Sequence, residues 1–314
     1  MEKEMSYSAG GGEQYASRRG FLSGLAFAGG SLFLGGSGAA LAAVFEERSA
    51  PLLKIGLLTD LHYAEKTAAG NRHYRDSLLK IRPAVEHFNK VKADFAVELG
   101  DFVDEAPTLE EELGYVSRIE AEFSRFKGDR HYVLGNHCVS RLKKEEFLAS
   151  CGQRKKAKRA YYSFDRGGLH FVVLDACFRA DGVSYGRKNF KWTDTEIPPA
   201  ERKWLADDLR KSGKPTVVFT HQRLDVGGSY GVKSAAKVRK ILEEDGKVLA
   251  VFQGHNHVND HKVIGSVHYV TLAALIEGPF SKGNNAWSVL EAHPGGVLKV
   301  DGFHHQGDYS LPRA

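Results

Sequence analysis

Five strand-like segments of the chain each end in a short group of Asp, Asn or His residues. The groups read DLH at 60–62, GDFVD at 100–104, GNHC at 135–138, TH at 220–221 and GHNH at 254–257. Helical patterns lie between most of these segments, which favours parallel strands whose carboxyl ends share one edge of a sheet. Because ligands of α/β sheets bind at that edge, the fold has to bring the five groups together.

The residue types in these groups are those that hold transition metals in proteins. Carboxylate, imidazole and amide oxygen ligands suit Mn, Fe or Zn, and the absence of cysteine ligands argues against a structural zinc site. Two ions roughly 3.5–4 Å apart can hold a bridging hydroxide and clamp phosphoryl oxygens for in-line attack. Each group alone is a weak signal, but all five in this order predict a site for two divalent ions.

The alternation of apolar runs predicts the architecture. Strand-length runs lie at 52–58, 95–99, 131–134, 161–164, 170–174, 216–220, 248–252, 261–264, 267–272, 287–292 and 297–303, and helical patterns at 76–91, 110–126, 200–211 and 234–244. Pro83 should kink or restart the first helix. Alternating strands and helices followed by hairpins predict an α/β (α+β mixed) fold, a four-layer αββα sandwich of two mixed β-sheets flanked by helices.

The first 42 residues have the features of an export signal. Arg18 and Arg19 precede an uncharged, glycine-rich apolar stretch at 21–44 that contains the small-x-small sequence at 40–42. Paired arginines are typical of the twin-arginine route, which carries folded proteins. We therefore expect export to the periplasm or the extracellular space, with the twin-arginine translocation machinery as a partner and no stable membrane span in the mature form. An uncleaved N-terminal membrane anchor is the alternative. A single domain then spans 43–314.

Composition excludes other classes of protein. The 44 basic and 39 acidic residues leave a net charge of +5, which is too small to indicate a nucleic-acid partner, so none is expected. Three cysteines in 314 residues exclude a disulfide scaffold. We expect Cys138, Cys151 and Cys177 to be buried free thiols.

The five groups together resemble the calcineurin-like metallophosphoesterase superfamily, whose motifs run DxH, GDxxD, GNH(D/E), H and GHxH. The resemblance implies that Asp101 bridges two metal ions. It assigns the remaining ligands of the first ion to Asp60, His62 and His257, and those of the second ion to Asn136, His221 and His255. His137 is then the catalytic group that protonates the leaving oxygen or stabilises charge on the phosphoryl group. Cys138 departs from the family pattern, which has Asp or Glu there, and this leaves Asp104 as a candidate to orient His137.

A finer similarity covers segments outside the ligands. The stretches at 72–89, 161–176, 197–209 and 268–279 look like the manganese-dependent ADP-ribose/CDP-alcohol diphosphatase branch, although that branch usually carries Gln where this chain has His62. The similarity implies a metal-dependent hydrolase with a small-molecule phosphoester substrate. The expected bond is a phosphodiester or phosphoanhydride in a nucleoside diphosphate derivative such as ADP-ribose or a CDP-alcohol.

Two alternative functions stay open at this point. One is an exported general phosphomonoesterase or phosphodiesterase for phosphate scavenging. The other is a non-catalytic, metal-stabilised binding protein, in which Cys138 marks a decayed site. Candidates for substrate contacts are Tyr74 and Arg75, and the tryptophans at 192, 204 and 287 are expected to pack in the core or against helices.

Overall fold

The computed structural model describes residues 50–153 and 159–313. Within them the chain forms twelve β-strands and five α-helices. The strands are β1 (Leu53–Leu58), β2 (Phe95–Glu98), β3 (Asp129–Tyr132), β4 (Tyr162–Arg166), β5 (Leu169–Val173), β6 (Thr216–Phe219), β7 (Val248–Gln253), β8 (Asp260–Ile264), β9 (Val267–Thr271), β10 (Ala286–Ala292), β11 (Leu298–His304) and β12 (Tyr309–Leu311). The helices are α1 (Ser77–Lys90), α2 (Leu109–Phe123), α3 (Lys144–Ser150), α4 (Pro199–Ser212) and α5 (Ala235–Asp245). The predicted leader at 1–42 lies outside the described residues.

The strands form two mixed sheets of six strands each. The first sheet has the order β12-β11-β10-β1-β2-β3, and the second has the order β4-β5-β6-β7-β9-β8. β1, β2 and β3 are parallel, as are β5, β6, β7 and β9, whereas the remaining neighbours pair antiparallel. Each parallel block directs its carboxyl ends to one edge, which is where the motifs begin.

Three apolar cores separate four layers. The central core lies between the sheets, where Phe95 of β2 meets Phe171 of β5 with ring centroids 5.0 Å apart. A second core packs α1, α2 and α3 on the outer face of the first sheet, and a third packs α4 and α5 on the outer face of the second. The αββα sandwich predicted from the sequence is confirmed.

The structure differs from the predicted elements in a few places. α1 continues through Pro83 without ending, because the carbonyl that loses its N–H partner belongs to Leu79, which is 43% exposed on the solvent face. β3 begins two residues before the predicted start, and α3 and β12 are short elements that the apolar pattern does not reveal. Among the described residues, none of the helices has the length and apolar character needed to cross a membrane.

Candidate metal centre

The five motif groups meet at the carboxyl edge of both sheets. Asp60 and His62 follow β1, Asp101 follows β2 and Asn136 precedes a short 3-10 helix after β3, all from the first sheet. The second sheet contributes His221 after β6, and His255 and His257 after β7. The seven predicted ligands are therefore brought together from two sheets.

The distances between side-chain atoms fit two neighbouring metal positions. Asp60, His62 and His257 form one group and Asp101, His221 and His255 form another, each with its ligand atoms within 4.8 Å of one another. A third group joins His62, Asp101 and His137. Asp101 Oδ2 lies 3.1 Å from His221 Nε2 and 3.5 Å from His62 Nε2, as a carboxylate between two positions would.

Several buried polar atoms point into this space without a hydrogen-bond partner in the described part of the chain. They are Asp60 Oδ1, Asn136 Oδ1, His221 Nε2 and His255 Nε2. Burying such atoms unpaired costs about 1–3 kcal/mol each, so an isolated cluster of them is a poor structural arrangement. Coordination to metal ions would satisfy all four, and the donor set therefore fits the dinuclear site that the sequence predicts.

Partners on the far side of three of the four predicted ligand imidazoles fix their orientation. His62 Nδ1 donates to Asp104 Oδ2 at 3.2 Å, and His221 Nδ1 donates to the Leu99 carbonyl at 2.9 Å. His257 Nδ1 donates to Glu277 Oε1 at 2.6 Å. Each bond leaves the Nε2 lone pair directed inward, which is how proteins orient metal-ligating histidines.

The electrostatics of the site favour ionised carboxylates. Burial opposes ionisation of Asp60, but His221 and His257 outweigh it and hold the pKa of this carboxyl well below its usual range. The same balance, with His221 and His137 as partners, lowers the pKa of Asp101. Burial and the neighbouring His221 lower the pKa of His255 to about 3, so this imidazole is neutral and able to donate its lone pair.

The backbone at the site lies in an unusual conformation. Nine non-glycine residues of the described chain have positive φ, and five of them are predicted ligands: Asp60, His62, Asp101, His255 and His257. Close contacts around them require glycine, since a Cβ on Gly135 would lie 2.2 Å from Asp101 Oδ1 and one on Gly254 would lie 2.5 Å from Asp60 Oδ2. Glycine before Asn136 and His255 therefore permits the close approach that the sequence predicts.

His137 faces the cavity beside these ligands. Its backbone N–H donates to Asp101 Oδ1 at 2.8 Å, and its Nδ1 lies 3.4 Å from Asp104 Oδ2. Burial opposes protonation of His137, but Asp101 and Asp104 together raise its pKa. Asp104 thus lies where the sequence analysis expects a residue that orients His137. Cys138 is a buried free thiol, as are Cys151 and Cys177.

The cavity above the cluster has a volume of about 320 Å³ and a wall that the sequence analysis missed. Arg72, Trp192 and Tyr230 line it together with the motif residues. The prediction that Trp192 packs in the core is wrong, because its side chain is 41% exposed and stands beside His255 with ring centroids 6.1 Å apart. Trp192 lies in a loop. Because a loop has no hydrophobic periodicity, the sequence did not indicate which way this side chain faces.

The predicted substrate contacts Tyr74 and Arg75 do not line this cavity. Arg75 donates to Glu65 Oε2 at 3.2 Å, and Tyr74 packs against the core under α1. Arg72, two residues before Tyr74, lines the cavity instead. The two predicted residues therefore lie close in sequence to a residue that lines the cavity.

Comparison with known proteins identifies the family. The model of the calcineurin-like phosphoesterase family matches residues 53–259. A manganese-dependent ADP-ribose/CDP-alcohol diphosphatase from Arabidopsis thaliana is 31% identical over 277 residues, which cover 73% of this chain and 88% of the relative. A protein of the same name from Oryza sativa subsp. japonica is 26% identical over 294 residues, which cover 80% of this chain and 91% of that relative.

Among solved structures, a dimetal phosphatase from Danio rerio superposes with a TM-score of 0.76 at 20% identity, covering 84% of this chain and all of that one. A purple acid phosphatase from Lupinus luteus superposes with a TM-score of 0.52 at 13% identity, covering 83% and 54%. These likenesses show the shared fold, and the residues matched by the family model include all five strand-end motifs. The chain belongs to the calcineurin-like phosphoesterase family and is a hydrolase that acts on phosphoester bonds.

Proposed function

We propose that the protein uses two divalent ions to hydrolyse the diphosphate bond of a nucleoside diphosphate derivative of the ADP-ribose or CDP-alcohol type. The observation that carries this proposal is the set of unpaired, inward-facing ligand atoms on the floor of one open cavity. The names of the Arabidopsis and rice relatives support the substrate class.

The cavity wall supports recognition of both ends of such a substrate. Arg72 lies close enough to His137 and His257 to disfavour their protonation, so its guanidinium can pair with a phosphate held over the cluster. Trp192 and Tyr230, with ring centroids 5.3 Å apart and exposures of 41% and 45%, offer an aromatic surface at the mouth. A nucleobase stacks on such a surface, whereas a simple phosphomonoester has nothing to place there.

Each part of the site has a separate task in hydrolysis. The bound ions would supply an activated water and neutralise the charge of the phosphoryl oxygens. The chain itself orients the ligands through Asp104, Leu99 and Glu277, and it excludes water from the buried floor. His137 is the group placed to give a proton to the leaving oxygen, since its imidazole faces the cavity and Asp104 supports its protonated form.

A substrate panel on metal-free protein reconstituted with Mn, Fe, Zn or Co tests the proposal. We expect ADP-ribose or a CDP-alcohol to be cleaved faster than p-nitrophenyl phosphate, with a nucleoside monophosphate among the products. Equal or reversed rates would indicate the general phosphatase for phosphate scavenging. Full metal occupancy without turnover of any substrate would indicate the metal-stabilised binding protein.

We also propose that residues 1–42 direct export through the twin-arginine machinery. The support is the sequence alone: the Arg18–Arg19 pair, the uncharged stretch after it and the small residues at 40–42. The test is cell fractionation of the wild type and an R18K/R19K variant. Export of both to the same extent would contradict the twin-arginine assignment, and an exported chain of full length held in the membrane fraction would indicate an anchor.

A further inference from the structure

Lys80 is a fully buried lysine beside the candidate metal centre, on the first turns of α1. Its Nζ has three N–H donors and lies within hydrogen-bond distance of four consecutive backbone carbonyl oxygens: Leu275 at 2.9 Å, Ile276 at 2.9 Å, Glu277 at 3.0 Å and Gly278 at 2.6 Å. The side chain has no exposed surface. Burial lowers the pKa of Lys80 to about 8, so the amine still carries its proton at neutral pH. Asp76 and Glu277 lie near enough to favour the charged amine. A buried ammonium held by backbone carbonyl oxygens resembles a cation in a binding loop.

The loop that Lys80 holds, residues 275–278, is attached to the metal centre at three points. The N–H groups of Leu275 and Ile276 donate to the carbonyls of Thr59 and Asp60, each at 3.1 Å. Glu277 Oε1 accepts the 2.6 Å bond from His257 Nδ1. The loop therefore fixes both the strained backbone of Asp60, which has φ of 53°, and the ring of His257.

This loop needs a cation to keep its shape. Four successive carbonyl dipoles directed at one point repel one another in a low-dielectric interior. The Ile276 carbonyl also accepts the His73 N–H at 3.2 Å, and each of the other three costs about 1–3 kcal/mol if left without a donor. The three N–H groups of Lys80 supply donors to these carbonyls, and its positive charge offsets the repulsion between their dipoles. Without the Lys80 ammonium, the loop carbonyls would be better solvated if they turned toward water. This rotation would carry Glu277 away from His257.

The loop contacts one of the two metal positions directly. His257 belongs to the group with Asp60 and His62, and Glu277 is its orienting partner. His221, in the other group, is oriented by the Leu99 carbonyl at the end of β2 instead. The loop reaches the second position only indirectly, through the 3.1 Å bond from the His255 N–H to Asp60 Oδ2. A disturbance at 275–278 should therefore weaken the first position more than the second.

We propose that Lys80 is a positioning residue that acts as a built-in cation for the loop 275–278, and through Glu277 and His257 it sets the affinity of the metal position formed by Asp60, His62 and His257. This inference rests on the proposed dinuclear site. Its readout is metal binding, so it can be judged even if no substrate in the panel is cleaved.

The experiment titrates the metal-free full-length chain with Mn²⁺ alone, following free Mn²⁺ by electron paramagnetic resonance. The wild type should bind two ions. In Lys80→Met, which keeps the length of the side chain and removes its charge, one of the two ions should bind roughly 10- to 100-fold more weakly, the range found when an outer partner of a ligand is lost. Unchanged affinity for both ions would overturn the proposal.

A core variant with a comparable loss of stability is the matched control. Val238→Ala truncates a buried side chain of α5 on the far side of the second sheet, so it lowers stability without touching the loop. It should bind both ions as the wild type does. If Val238→Ala weakens Mn²⁺ to the same extent as Lys80→Met at a similar Tm, Lys80 matters only for folding and the positioning role is wrong.

A double-mutant cycle separates action through Glu277 from other routes. Glu277→Ala removes the acceptor of His257 but leaves the backbone carbonyls in place. If Lys80 works through this side chain, Lys80→Met adds no further loss of Mn²⁺ affinity in the Glu277→Ala background. If the losses of Mn²⁺ affinity from the two substitutions multiply, Lys80 acts by a route other than Glu277. Should Lys80→Met fail to fold, Lys80→Gln retains two N–H donors without the charge and is expected to weaken the same ion.

Discussion

Asp101 is the predicted bridge between the two metal positions. Its carboxylate lies between His221 and His62, and its backbone carbonyl accepts the His62 N–H at 2.7 Å. We expect Asp101→Ala to lose metal and activity together, by more than the roughly 10- to 100-fold that loss of an outer partner costs. Metal analysis and turnover of the best panel substrate measure both quantities. Asp207→Ala, at a partly exposed site on α4, is the control that should change neither.

The aromatic pair at the cavity mouth should act on substrate binding and leave the chemical step unchanged. If Trp192 and Tyr230 stack on a nucleobase, each Ala variant loses about 1–3 kcal/mol of binding, which corresponds to KM raised roughly 5- to 150-fold at nearly constant kcat. Trp192→Phe should retain most of the affinity. Steady-state kinetics with ADP-ribose and with glycerol 3-phosphate, a phosphomonoester without an aromatic ring, check this, and an equal effect on both substrates would contradict base stacking.

The residue types of the metal centre could be predicted from the sequence, but the means of holding them could not. Spacing after strands points to Asp60, Asp101 and His257 without any coordinates. The left-handed backbone at these three positions could not be predicted from side-chain type, because Asp and His adopt it more often than most non-glycine residues but still only in a small fraction of cases. Strain of this kind costs about 1–3 kcal/mol per residue and persists only where surrounding contacts enforce it. Those contacts come from segments far away in the chain, such as 275–278.

At the level of elements, His170 ties the β4–β5 hairpin to α4. Its Nδ1 lies 2.7 Å from Asp165 of β4, and its Nε2 lies 2.9 Å from Asp208 of α4. Burial opposes protonation, but Asp208 and Asp165 outweigh it and raise the pKa of His170. A raised pKa in the folded state stabilises the fold below the unfolded value of about 6.5, and this gain is lost as pH rises through the folded pKa.

We therefore expect His170→Gln to lower the free energy of unfolding by about 1 kcal/mol at pH 6, a modest value because Asp165 is half exposed. The difference from the wild type should shrink as pH rises to 9. Denaturant unfolding at both pH values measures it. His304→Gln, at the exposed end of β11, should show no such trend. A constant difference for His170→Gln would mean that packing, and not charge, explains its effect.

Elements with strong periodicity could be predicted from the sequence, and short or irregular ones could not. The helix at 76–91 and the strand at 52–58 match α1 and β1 to within a residue at each end, since their apolar faces are buried against a sheet. α3 has seven residues and β12 has three, too few for a repeating pattern. The loop that carries Trp192 has no regular structure to predict, so the wall of the cavity emerges only in three dimensions.

Across the whole molecule, the metal centre is a junction between the two sheets. The first position combines Asp60 and His62 from the first sheet with His257 from the second. The second position combines Asp101 from the first sheet with His221 and His255 from the second. Bound ions would therefore crosslink the two halves of the sandwich at one edge of the central core, and removing them would leave buried carboxylates and unpaired imidazole atoms there.

Global stability should accordingly depend on metal. An ion that binds only the folded chain stabilises it by about 2.7 kcal/mol at 100 times its Kd, which corresponds to a Tm increase of roughly 5–10 °C for a domain of this size. Differential scanning calorimetry of metal-free protein, with and without added Mn²⁺, measures the shift. Asp101→Ala should show little of it, because that variant lacks the carboxylate shared by both positions. A Tm shift of equal size in Asp101→Ala would mean that Mn²⁺ stabilises the fold by binding elsewhere. In that case ions at the metal centre are not what links the two sheets.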